Sequence, residues 1–74
     1  MYLWFIGLNT RIIGEPVDEK EAMKMINDFC QERAFKIYYY RMWNDNGNTW
    51  YDVGSHSEFF CLTGSQENPE RRNF

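Results

Sequence analysis

His56 is the one histidine of the chain, and it stands in the run Asp52-Val53-Gly54-Ser55-His56-Ser57-Glu58. An imidazole among carboxylates and hydroxyls is the kit from which a general base or a metal site is assembled. Such a site needs a partner held at fixed distance, and this spacing matches no metal-ligand pattern. His56 reads instead as a turn residue, with Ser55 and Ser57 bonding nearby backbone. The thiols Cys30 and Cys61 lack the Cys-x-x-Cys spacing, and the sequence carries neither a glycine-rich phosphate loop nor a nucleophile elbow. The residues therefore predict no enzyme, no cofactor and no metal.

Contact is the chemistry that the composition favours. The 74 residues include 3 Trp, 5 Tyr and 6 Phe, or 19% aromatic. A domain this small buries only about 60% of the surface its unfolded chain exposes. Fourteen rings exceed what one small core hides, so some are expected on a binding face. Tyr38, Tyr40, Trp43, Trp50 and Tyr51 are the candidate anchors. Tyr39 points to the opposite side from Tyr38 and Tyr40 if the segment is a strand. Lys36 and Arg41 beside these rings suggest stacking on single-stranded nucleic acid. The balance of 8 Lys+Arg against 11 Asp+Glu, net −3, leaves little to neutralise phosphates and argues against it. Glu15 and Glu19 are candidates for electrostatic steering toward a partner. Lys20 and Lys24 interrupt the acidic run that continues through Glu21, Asp28 and Glu32. It reads as a solvated helix surface rather than a phosphate mimic.

The elements that position these residues follow from pattern. Tyr2–Leu8 and Arg11–Gly14 read as a small hairpin of strands. Asp18 with Glu21 fits a capping box, and Ala22, Met25, Ile26, Phe29 and Cys30 form one apolar stripe at helical period, predicting a helix over 18–33. Lys36–Trp43 is strand by composition, 44–48 a turn carrying the hairpin pair Asn46-Gly47, and Thr49–Val53 the return strand. Gly54-Ser55-His56 marks a bulge or turn before a last strand at Ser57–Leu62. The expected fold is α+β, with order β-β-α-β-β-β: an antiparallel sheet of four to five short strands and one helix packed on a single face. Residues 1–63 form the domain, and the polar stretch 64–74, with Arg71, Arg72 and Phe74, is expected to be a loose tail. The far face of the sheet is left for a partner.

Rings and aliphatics at this density exclude a disordered chain, and two cysteines are too few for a disulfide framework. The apolar start lacks a positive leader region, and nothing reaches the roughly 20 apolar residues of a membrane span. A cytoplasmic protein is expected, with Cys30 and Cys61 as reduced, buried thiols.

The segment Tyr38-Tyr39-Tyr40-Arg41-Met42-Trp43 and the run from Asn46-Gly47 through Trp50-Tyr51-Asp52-Val53-Gly54-Ser55-His56-Ser57-Glu58-Phe59-Phe60 resemble small accessory proteins encoded by phages and prophages of Gram-positive bacteria. Ile13-Gly14-Glu15-Pro16, ahead of an acidic helix start, is similar as well, so the likeness spans about residues 11–62. That group brings no catalytic residues to carry over. The resemblance implies a bacterial host cell and a small protein that binds and disables a host enzyme, often a defence nuclease, in the manner of an anti-CRISPR protein. The expected function is thus a non-enzymatic module that blocks a host protein sterically. The alternatives are a homo-oligomer joined through its bare sheet face or the edge of its last strand, and a weak single-strand nucleic-acid binder.

Overall fold

The structure is a computed structural model that describes residues 1–71. Its elements run β1 (Tyr2–Ile6), β2 (Arg11–Gly14), α1 (Glu19–Glu32), β3 (Arg41–Asp45), β4 (Asn48–Asp52) and β5 (Phe59–Thr63), then a 3₁₀ turn at Pro69–Arg71. The strands form one antiparallel sheet in the order β2-β1-β5-β4-β3. The α+β reading and its element order hold. The last strand is the central one, paired on both sides, so it offers no edge for self-association.

The helix begins where its cap dictates. Asp18 is extended, and its Oδ1 accepts from the Glu21 amide at 2.8 Å, while Glu21 reaches back to accept from the Val17 amide, also at 2.8 Å. At the other end Ala34 takes a left-handed φ of 58°, and the Phe35 amide donates to the Cys30 carbonyl. That closes the last turn as glycine usually does. The stripe lays Ala22, Ile26, Phe29 and Cys30 onto Leu3, Phe5, Tyr51, Val53, Phe60 and Leu62. Phe5, Phe29 and Phe60 meet with ring centroids 5.0–5.7 Å apart, within the range of favourable ring pairs.

The second hairpin differs from its expected bounds. Asn46 and Gly47 alone make the turn, both at positive φ (55° and 82°), and Asn44, Asp45 and Asn48 belong to the strands. This is the mirror-image turn that Asn-Gly favours. Residues 36–40 are not strand, although their composition suits one. β4 ends at Asp52, and Gly54 swings the chain away at φ +99°, so among the described residues no strand continues the ladder beside them past a single bond at Val53. Ile37 packs against the helix-side core and the Tyr38 amide donates to the Val53 carbonyl.

After β5 the described stretch returns to the domain at several points. Trp4 Nε1 donates to Thr63 Oγ1 (3.2 Å), which donates to the Ser65 carbonyl (2.6 Å); Pro69 is buried, and Thr10 Oγ1 stands 3.2 Å from Glu70 Oε1. The candidates Arg72 and Phe74 lie outside the described residues. Cys30 belongs to the helix-side core and Cys61 to the cluster on the opposite face, so the sheet separates them and no disulfide joins them. Burial pushes the Cys30 thiol pKa up. No helix among the described residues is long and apolar enough to cross a membrane.

Candidate interaction surface

The alternation of strand side chains sorts the aromatic candidates. Directly opposed residues share a face, and the register pairs Trp43 with Trp50 and Met42 with Tyr51. Trp50 also opposes Cys61, on the face away from the helix, whereas Tyr51 opposes Phe60 in the helix-side core. Tyr51 is 0% exposed. It is a core residue and not a surface anchor, a correction that follows from its position one residue after Trp50. Its hydroxyl finds no hydrogen-bond partner among the described residues. Burial first, then the Glu19 carboxylate and the Cys61 thiol, push its pKa up to about 12.

Trp43 and Trp50 stack on the open face, 6.3 Å between centroids and 12° between planes, with Phe59 edge-on to Trp43 at 6.4 Å. Trp50 is half-buried, and its Nε1 is buried without a partner among the described residues. The Arg41 guanidinium lies 5.8 Å from the Trp43 ring centroid and pairs with Asp52 at 3.1 Å. Beneath these rims Trp4, Ile6 and Cys61 form a second buried cluster, with Tyr2 and Ile12 beside them.

Tyr38 and Tyr40 are exposed, and so is Tyr39. Because the segment is not a strand, Tyr39 does not turn inward as alternation would require. Tyr38 lies across Gly54: a Cβ there would stand 2.8 Å from the Tyr38 Cβ. Lys36 Nζ sits 5.1 Å over the Tyr38 ring. Tyr40 donates from its hydroxyl to Asn27 Oδ1 at 3.3 Å, and burial, with the Cys30 thiol nearby, raises its pKa. Phe35, Tyr38, Tyr39, Tyr40, Met42 and Trp43 are 38–66% exposed, six large apolar side chains within nine residues.

The two acidic candidates part company. Glu19 lies in the first helical turn, and its negative charge helps to raise the Tyr51 pKa. Glu15 follows β2, at the sheet edge farthest from β3, so the structure does not bring it together with Trp43 and Trp50.

The run around His56 is a self-satisfied turn. Ser55 Oγ donates to Glu58 Oε1 and accepts from the Glu58 amide (3.2 Å), while Asp52 accepts from the Gly54 amide (2.9 Å) and from Arg41. Both carboxylates are thus engaged away from His56, which is exposed, and among the described residues no three His, Cys, Asp or Glu side chains converge on a metal position. Sequence reasoning missed a groove of about 720 Å³ between this turn and the segment after the helix, lined by Cys30, Phe35, Tyr38, Tyr39, His56 and Phe60. The only trace of it in the sequence is Gly54, whose missing side chain admits Tyr38.

No protein-family model, curated protein or solved structure matches this chain.

Proposed function

We propose that this chain is a non-enzymatic protein-binding module that holds a partner through its exposed segment 35–43. The observation that supports this reading is the clustering of six exposed large apolar side chains within those nine residues. Met42 and Trp43 lie on opposite faces of β3, so the segment offers rings on both sides, and Tyr and Trp are the side chains that anchor interfaces. Tyr38, Tyr39 and Trp43 supply the anchors, with Lys36 and Arg41 fixing ring orientation from beside them. Glu19 contributes steering charge at the helix start. The mode of action is steric: a domain of 26 × 21 Å cross-section covers a partner's working surface.

The class of partner rests on the sequence resemblance to phage accessory proteins, and we assign it to a host enzyme, a defence nuclease foremost, met in the bacterial cytoplasm. Affinity capture from a Gram-positive host lysate, using the wild type beside Tyr38→Ala/Tyr39→Ala, tests both parts. The wild type is expected to retain one stoichiometric host protein that the variant, with unchanged circular dichroism, releases. Equal retention by both removes the segment from the interface. The cation-on-ring pairs Lys36–Tyr38 and Arg41–Trp43 also suit single-stranded nucleic acid; a gel shift at low salt that fades as salt rises would favour that reading instead.

A further inference from the structure

The sheet has two edges, and they are built differently. β2 is four residues long, bulged against β1 between Leu3 and Trp4, half-buried throughout, and ends at Gly14, which the Met25 side chain covers. Short, bulged, covered edges resist pairing with another chain. Among the described residues β3 has none of these protections: five residues in unbroken register from Arg41–Asp52 to Asp45–Asn48, all of them exposed. The two-residue turn makes Asp45 and Asn48 a pair that exchanges backbone hydrogen bonds. Alternation then aims the N–H and C=O groups of Arg41, Trp43 and Asp45 at β4, and those of Met42 and Asn44 outward.

We infer that this edge pairs with the β3 of a second copy of the chain, antiparallel about a twofold axis through Trp43. The strand Arg41-Met42-Trp43-Asn44-Asp45 is self-complementary, with a cation at one end and a carboxylate at the other. Antiparallel pairing about its centre sets Arg41 opposite the partner's Asp45, twice by symmetry. Met42 and the partner's Asn44 exchange backbone hydrogen bonds, as their outward groups require. Trp43 meets the partner's Trp43, extending the Trp50–Trp43 stack across the axis on the open face. A slip of the register either way keeps the hydrogen-bond parity but sets Arg41 against the partner's Trp43, or Trp43 against the partner's Asp45, and both charge pairs vanish. The closed twofold contact joins the two five-stranded sheets into one. The inference does not depend on the partner-binding reading, and each can fail without the other.

Sedimentation equilibrium tests it. The contact is small, so dissociation is expected at about tens of micromolar, with the mass rising from 9.0 kDa toward twice that as concentration increases. Asn44→Pro removes an outward N–H from each copy and leaves the backbone bonds to β4 in place, losing within the chain only the side-chain bond from Thr49 Oγ1, and is expected to weaken the dimer at least about tenfold. Asp45→Arg leaves the backbone alone and places like charge opposite the partner's Arg41; it is expected to weaken the dimer as well, most at low salt. If Asn44→Pro alters the circular dichroism, Asp45→Arg decides. A wild-type mass of 9.0 kDa at every concentration overturns the inference. So does a dimer that survives both substitutions, because its contact then lies elsewhere.

Discussion

The two faces of the sheet start from the same alternating strands and end differently. On one, α1 seals Leu3, Phe5, Tyr51, Phe60 and Leu62 into a dry core. On the other no helix arrives, and Trp4, Ile6 and Cys61 are kept from water by rings that are themselves only half-buried, Trp50 and Phe59 among them. Large rings on a sheet can shelter its centre, but their own outer surfaces stay wet. The first face can contribute stability alone, whereas the second still has apolar area to give up to a partner.

The largest test of that contrast is Phe60→Ala. Phe60 is buried edge-on against Phe29, and truncation is expected to cost about 3–5 kcal/mol of unfolding free energy, read by urea denaturation. Trp43→Ala, on the other face, is expected to cost under about 1 kcal/mol of stability yet about 2 kcal/mol of partner affinity. Equal stability losses at the two sites would break the comparison.

Alkaline pH sharpens it. Tyr51 is neutral in the core, with its folded pKa raised to about 12 from an ordinary value of 10.0. A raised folded value means that stability is intact below about pH 10 and falls as pH climbs toward 12, by roughly 2 kcal/mol. Tyr51→Phe is expected to flatten that fall and, since the hydroxyl is unpartnered, to cost little at neutral pH. A stability curve that keeps its alkaline slope in Tyr51→Phe would assign the titration elsewhere. The smallest effect is expected of Asp18→Ala, which loosens the cap of the covering helix at about 1 kcal/mol, seen as reduced protection of the first helical amides from exchange.

What the sequence disclosed follows local rules. The capping pair and the period of Ala22, Ile26, Phe29 and Cys30 are contained within one helix, and Asn46-Gly47 sets its own turn geometry, so these were legible. Whether Trp50 or Tyr51 faces the helix was not. Adjacent strand residues must point oppositely, but which is inward depends on the register against Cys61 and Phe60, on a different strand. The segment 36–40 misled for a related reason: its side chains suit a strand, while strand formation needs a neighbour, and Gly54 takes that neighbour away. Pro69 is buried and lines one pocket with the distant Trp4 and Thr63, a juxtaposition that leaves no local trace.

β5 lies between the two hairpins, β1–β2 on one side and β3–β4 on the other. Each hairpin is a local structure that can close within microseconds, but neither touches the other until the last strand slides between them. Trp4 and Thr63, bonded across that seam, are 59 positions apart, a loop whose closure costs about 3–4 kcal/mol in chain entropy before contacts repay it. Until β5 arrives, the sheet is two halves with exposed inner edges. The seam cannot close without Phe59–Thr63, so a chain in which that strand is not yet seated is the most aggregation-exposed state.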